Sequence, residues 1–577
     1  MRNSDESPRR APHAWHPVRL ITVVVFGVTC FAMGALGAPE GSSDKCSNLK
    51  STFSMPNATI TSAQTVPSGT YSPANPGAGA APVTGLPSFC RVIGTLTPTS
   101  DSQIGFEVWM PTAGWNGKLQ SIGNHNLGGV IYYGDMGHQL MRNYAVASSD
   151  TGHIGNEAQW GAGHPEKVAD FGWRAVHQST VTAKAVIAAF YSANPRYSYF
   201  NGCSMGGREA LQEAQRFPDD YDGIISGSAM NNWTRSHIAH IWAAQVLLQD
   251  GVDGAHYIPP SKNELILNAI LTKCKPTDSQ APADGFLRNP SRCDWSPKTL
   301  VCKTGQDPNT CITAAQAESL EKLYSPLRNP RTKEEIYPAS TITSALPNAN
   351  GLTAGPAAKY LQWIVFNKPD WKFSMLNFDS DVTLVDNIDA EGPQVNAIDP
   401  NLSGFQKRRG KLIEYHGWVD PGFTAEFNVQ YYERVLQLMA KGVHGNAAEA
   451  LKETQDFYRL FVVPGMGHCT GGPGPNAFGG LAQPEVPMDS QHDLVSALEQ
   501  WVEHGVAPSQ IIATKYVKDD PKQGIAMQRP VCPYPQEAEY KGRGDTADAG
   551  NFACVNETRN LKPSGADRLQ SQPVPKR

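Results

Sequence analysis

A chain of 577 residues has room for one large catalytic domain with an insertion, or for three small domains. Hydrophobic residues make up 40% and charged residues 18%, which excludes wholesale disorder. The formal net charge of −5 leaves no basic footprint for nucleic acid and no polybasic anchor for an anionic membrane.

The N-terminus has the three parts of an export signal. Arg9, Arg10 and Arg19 supply positive charge, Leu20 to Leu36 is mostly apolar, and Ala35, Gly37 and Ala38 offer a small-residue cleavage site. Residues 1–37 are therefore predicted to be a signal peptide, leaving a secreted or periplasmic protein with no membrane contact after cleavage. Of the 11 cysteines, Cys30 lies within the signal, and an even set remains in the mature chain. In an exported protein these suggest five bridges. Sequence leaves connectivity open, and local pairing is the expectation: Cys46–Cys90, Cys274–Cys293, Cys302–Cys311 and Cys532–Cys554. Cys203 and Cys469 are then left for each other.

Residues 51–89, rich in Ser, Thr, Pro and Gly, read as irregular structure or edge strands. Strands are predicted at Ile104–Met110, Lys118–Gly123, Tyr144–Ser148, Tyr197–Asn201 and Gly223–Ser226. Helical spacing covers Asp170–Tyr191 and Glu209–Arg216. This alternation indicates an α/β fold, a mainly parallel sheet with helices on both faces. It stops near Asn232, where Pro, Asn and four cysteines accumulate, and resumes at the Lys411–Tyr415 strand. Residues 233–403 thus read as an inserted domain between the two parts of the core, 38–232 and 404–577. A helix at Ala425–Lys441, a strand at Tyr458–Val463, a helix at Ser490–His504 and a closing strand at Ile511–Tyr516 complete the sheet.

The turn after the Tyr197 strand is Gly202-Cys203-Ser204-Met205-Gly206, a G-x-S-x-G. Between a strand and a helix this pattern presents the serine hydroxyl on a sharp turn. The N–H of the following residue, Met205, then forms half of an oxyanion hole. A serine needs a base and an orienting carboxylate, and in this layout their chain order is serine, acid, histidine. Two strand-end loops fit, Tyr415-His416-Gly417-Trp418-Val419-Asp420 and Val463-Pro464-Gly465-Met466-Gly467-His468-Cys469. Ser204, Asp420 and His468 are the predicted triad. A Cys203–Cys469 bridge would place nucleophile and base in neighbouring loops. The second oxyanion donor is expected from Gly123-Asn124-His125-Asn126, through the N–H of Asn124 or His125. His237 and His240, three apart in a predicted helix, lack a third ligand for zinc and read as packing residues.

The runs NGCSMGGREALQEAQRFPDDYDGIISGSAMNNW (201–233), SSDTGH (148–153), KLIEYHGWVDPGF (411–423) and VPGMGHC (463–469) resemble the tannase and feruloyl esterase family. The resemblance runs from about Cys46 to Cys554. It implies an α/β-hydrolase fold, the triad named above with the Cys203–Cys469 bridge beside it, and a lid built from the insertion. It also implies a small aromatic ester substrate: galloyl, feruloyl or terephthaloyl. A polyester depolymerase, a serine carboxypeptidase and a non-catalytic binding module remain alternatives on the same fold. Lids of this family carry a calcium loop, but here Lys275 stands at the first carboxylate position and two extra residues separate Asp278 from Asp284. The expectation is a weak or absent calcium site, with Lys275 pairing with Asp278 or Asp284, and no cofactor required.

Overall fold

Predicted strands that are apolar on both alternating phases settle into one sheet with two apolar faces. The computed structural model describes residues 42–73, 81–278 and 280–556, so the predicted signal segment lies outside the described residues. Nine strands form the sheet: β1 (Ala58–Val66), β2 (Phe89–Leu96), β3 (Ile104–Pro111), β4 (Lys118–Ile122), β5 (Ala145–Ser149), β6 (Tyr197–Cys203), β7 (Gly223–Gly227), β8 (Lys411–Gly417) and β9 (Tyr458–Val463). Their spatial order is β1-β2-β3-β5-β4-β6-β7-β8-β9. The last six in that order run parallel, and β1, β2 and β3 add antiparallel strands at one edge.

The helices that cover this sheet are α1 (Ala175–Tyr191), α2 (Met205–Arg216), α4 (Ala425–Gly442) and α5 (Leu494–His504), while α3 (Trp233–Leu247) opens the insertion. Tyr199, Ile225 and Ile413 point to one side and pack with Leu498 and Trp501 of α5. Their neighbours Phe200, Ile224 and Leu412 point to the other, against Leu211 of α2 and Val429 and Tyr432 of α4. Further along that second side, Leu119, Ala145 and Ala147 meet Ala183, Val186 and Ile187 of α1. A period of two that is apolar on both phases requires a sheet buried on both faces. Each fully buried Leu or Ile contributes about 1.5–3 kcal/mol through removal from water.

Two details depart from the sequence reading. The strand Ile511–Tyr516 does not close the large sheet but pairs antiparallel with Ile525–Val531 in a separate ribbon. The 51–89 stretch, read as irregular structure or edge strands, supplies the edge strand β1. The helix expected from Asp170 begins as a π turn over Asp170–Arg174 before α1. Wider winding frees carbonyls, and those of Phe171 and Gly172 accept hydrogen bonds from the buried Arg208 guanidinium.

Five bridges tie the chain: Cys46–Cys90, Cys203–Cys469, Cys274–Cys293, Cys302–Cys311 and Cys532–Cys554. The insertion holds α3, several short helices and a small ribbon of Leu327–Arg328 with Glu335–Tyr337. Its Ile238, Ile241, Leu361 and Trp371 share one apolar cluster with Leu127 and Met205, from the loops that follow β4 and β6. Those loops leave the carboxyl ends of parallel strands, where open α/β sheets assemble their sites. Among the described residues no helix is long and apolar enough to cross a membrane.

Candidate active site

Ser204 sits between β6 and α2 with φ 65° and ψ −121°, a backbone state that costs a non-glycine residue about 1–3 kcal/mol and persists only where neighbours enforce it. The enforcement is visible. Ser204 N–H donates to Gly227 O at 2.9 Å, and the next amide but one, Gly206 N–H, donates to Asn124 O at 2.7 Å. A side chain at Gly202 would collide with the Gly206 carbonyl, so the turn closes only over a glycine. The side chain that results is nearly buried yet stands at the mouth of the loops, with Ser204 6% exposed.

Asp420 follows β8, and its carboxylate is surrounded by donors. Oδ1 accepts from the N–H groups of Gly422 at 2.9 Å and Phe423 at 3.0 Å. Oδ2 accepts from His468 Nδ1 at 2.6 Å and His416 Nε2 at 3.1 Å. Burial by itself would raise this carboxyl, but the charge of His468 and the hydrogen bonds from both imidazoles hold it well below the usual carboxylate range. The partner shift runs the other way. Burial opposes a charge on His468, yet the adjacent carboxylate outweighs it and leaves the imidazole above its ordinary value. With Nδ1–H committed to Asp420, the neutral ring carries its lone pair on Nε2, the tautomer a general base needs.

The loops carrying these groups are joined covalently. Cys203 precedes Ser204, Cys469 follows His468, and the bridged Cα atoms are 6.0 Å apart. The acid and base loops also interlock through Trp418 N–H to Val463 O at 3.0 Å and Val419 N–H to Met466 O at 2.9 Å. Neither Ser204 Oγ nor His468 Nε2 has a hydrogen-bond partner among the described residues. The Cys203–Cys469 bridge joins the loops that carry these two groups.

Of the two amides predicted for the oxyanion hole, that of Asn124 is already engaged: it donates to Glu209 Oε2 at 2.9 Å. Asn124 is thereby corrected from donor to anchor. The N–H groups of His125 and of Met205, the first helical residue of α2, have no hydrogen-bond partner among the described residues.

Asp278 and Asp284 do not fit a calcium ion. Asp278 Oδ1 lies 3.3 Å from Arg292 and 3.8 Å from Arg288, and its Oδ2 accepts from the Asn289 amide at 2.9 Å. Asp284 Oδ1 accepts from Arg529 at 2.7 Å, and its Oδ2 from the Ala281 amide at 2.8 Å. Arg529, with Arg288 and Arg292 that are shared with Glu537, occupies the positions around these carboxylates that a divalent ion would need. The cations are arginines rather than Lys275, which corrects the expected pairing. Lys275 was the nearest cation in sequence, whereas Arg529 arrives from the C-terminal ribbon.

His237 and His240 each place Nδ1 on the carbonyl one helical turn back, Trp233 O at 2.7 Å and Ser236 O at 3.0 Å. Two residues given no role by the sequence reading belong to the site's frame. His416 was visible in its motif, four residues before Asp420, as a second imidazole on the acid. Glu209 had no local signal, because its partner lies 85 residues away.

A family model described as tannase and feruloyl esterase matches residues 90–555. An uncharacterized esterase of Xanthomonas campestris pv. campestris is 39% identical over 557 residues, covering 92% of this chain and 94% of that protein. A probable feruloyl esterase B-2 of Aspergillus flavus is 35% identical over 453 residues, covering 77% of this chain and 83% of that one. Among solved structures, feruloyl esterase B from Aspergillus oryzae superposes with a TM-score of 0.81 at 28% identity, covering 89% of this chain and 100% of that chain. Tannin acyl hydrolase from Aspergillus niger shares the fold, with a TM-score of 0.70 at 20% identity over 92% of this chain and 98% of that chain. The chain is an α/β-hydrolase and belongs to the tannase and feruloyl esterase family of carboxylic ester hydrolases.

Proposed function

We propose that this enzyme is an exported serine esterase that hydrolyses small esters of aromatic acids, galloyl, feruloyl or terephthaloyl, through Ser204, His468 and Asp420. The observation that carries this is the Asp420–His468 hydrogen bond of 2.6 Å, fastened beside Ser204 by the Cys203–Cys469 bridge. In the first step His468 Nε2 takes the Ser204 proton as Oγ attacks the ester carbonyl. The oxyanion is met by the N–H groups of Met205 and His125, and His468 returns the proton to the departing alcohol. Water then attacks the acyl-enzyme with His468 again as base, releasing the acid and restoring the serine. No metal or other cofactor enters these steps.

The aromatic preference is supported by the relatives, two of which bear the name feruloyl esterase. Behind the Asp420 loop lies a cavity whose walls include Trp242, Tyr324, Tyr337 and Phe423 with His240, and neither Ser204 nor His468 lines it. The 233–403 insertion contributes most of these walls, which is the part a lid would play. Export is supported by five bridges, which persist only in an oxidising compartment. Turnover of methyl gallate, methyl ferulate and mono(2-hydroxyethyl) terephthalate against methyl acetate tests the reading. A higher kcat/KM on at least one aromatic acyl ester is expected, and uniform preference for the acetyl ester would overturn it.

A further inference from the structure

We propose that Glu209 is a positioning residue for the oxyanion loop: it clamps the Asn124 amide so that the next amide, of His125, is presented to the ester oxygen. This rests on the reading of Ser204 as nucleophile.

Asn124 is held from three directions. Its N–H donates to Glu209 Oε2 at 2.9 Å, and its carbonyl accepts from Gly206 N–H at 2.7 Å. Its side-chain Nδ2 donates to Val130 O at 3.0 Å and Ser149 O at 2.9 Å. The peptide that links Asn124 to His125 is planar, so fixing the Asn124 carbonyl fixes the plane of the His125 N–H. His125 is anchored on its far side as well, because its carbonyl accepts from Gly128 N–H at 3.0 Å. The His125 N–H, unpaired among the described residues as are those of Asn126 and Leu127, is the one that shares a peptide plane with the clamped Asn124 carbonyl. It is rooted, through Gly206 and Glu209, in the same helix that begins at the nucleophile.

The Glu209 carboxylate offsets the charge of the buried Arg208, yet much of its acceptor capacity is unspent. Glu209 is 1% exposed, its Oε1 has no hydrogen-bond partner, and burial pushes its carboxyl up to about 7. The adjacent Arg208 spends its donors on Phe171, Gly172 and Val395 carbonyls instead. A group buried with half its capacity unpaired costs more than an apolar side chain of the same size. What the carboxylate does, and an apolar side chain cannot, is hold the Asn124 amide. An acceptor is retained in either charge state, so the clamp needs the oxygen rather than the charge.

The test compares Glu209→Leu, Glu209→Asp and Glu209→Gln with wild type and Ser204→Ala on one ester, with melting temperature, kcat, KM and inhibition by a boronic acid analogue. Leu removes the acceptor, Asp draws it back by one methylene, and Gln keeps it. Loss or misplacement of one oxyanion donor predicts a fall in kcat of about 10- to 100-fold for folded Leu and Asp variants. Boronate affinity should weaken in step while KM stays within roughly twofold, and Gln should return kcat to within roughly fivefold of wild type. If Leu fails to fold, the Asp and Gln pair decides. Wild-type kcat in folded Leu or Asp variants, a Gln variant as poor as Leu, or a loss confined to KM would overturn the inference. Should Ser204→Ala remain active, the nucleophile assignment itself fails; should it be inactive with the Glu209 variants unaffected, only this inference does.

Discussion

His468 Nδ1 and His416 Nε2 meet the same carboxylate oxygen, Asp420 Oδ2, at 2.6 and 3.1 Å. One imidazole is partly exposed at the mouth of the site, while the other is fully buried in β8. His416 Nε2 also lies 3.1 Å from Phe423 O, so its proton is shared between two acceptors and its Nδ1 is buried without a partner. On the proposed mechanism the buried ring orients Asp420, which in turn orients His468.

Replacing His416 by Ala is expected to lower kcat by about 10- to 100-fold with little change in KM, because a partner that orients a catalytic group is lost. The variant should also melt earlier, since the Phe423 carbonyl and one lobe of Asp420 lose a donor in a buried place. Steady-state kinetics with a thermal melt check both. An unchanged kcat would mean the backbone amides of Gly422 and Phe423 suffice to hold the carboxylate.

The pH dependence follows from the same pair. His468 must be neutral to act as base, and its carboxylate neighbour raises it above the ordinary imidazole value. Activity is therefore lost as pH falls through that raised value, placing the acid limb of kcat/KM above about pH 6.5. In Asp420→Asn the raising charge is gone, so the limb should move to lower pH while the plateau drops roughly 10⁴-fold. A pH–rate profile of both proteins reads the two effects separately.

Reduction should inactivate the enzyme before it unfolds it. The Cys203–Cys469 bridge spans a sequence separation of 266 residues and lies directly beside both reacting groups. In the chain-entropy account it contributes about 5 kcal/mol of stability. A Cys203→Ala/Cys469→Ala variant is expected to lose most of its kcat and to melt at a lower temperature. Parallel kinetics and calorimetry would show whether activity outlasts the bridge, which would contradict a positioning role.

The loop that carries Asp278 and Asp284 should be indifferent to calcium. Adding calcium or a chelator is expected to leave the melting temperature unchanged. Arg529→Met should lower it strongly, since Asp284 and Arg529 side chains are 2% and 3% exposed and breaking a buried pair costs about 3–5 kcal/mol. Differential scanning calorimetry with and without chelator tests both statements. Tight stoichiometric calcium would contradict them.

What sequence could reveal was the part encoded locally. Alternation at Tyr199/Phe200 and Ile224/Ile225 states that a strand is buried on both faces, and the glycines around Ser204 mark the elbow, although the carbonyls of Gly227 and Asn124 that hold it come from elsewhere. The Ile511–Tyr516 strand shows the limit. Its period is correct, but period does not name a partner, and the partner is Ile525–Val531 rather than the large sheet. Asn124 shows it again: a flexible, polar loop looks like a donor until a carboxylate from α2 takes the amide. In the insertion the cation at Asp284 was sought nearby at Lys275, while the chain supplies Arg529, 245 residues on. Contacts that pair distant segments leave no mark in the spacing of either.

The most direct test of the central claim is peptide mapping of the protein after reaction with a fluorophosphonate ester probe. A single adduct on Ser204 is predicted, absent from Ser204→Ala and from protein whose His468 is replaced. An adduct on another residue, or undiminished labelling of Ser204→Ala, would contradict the account.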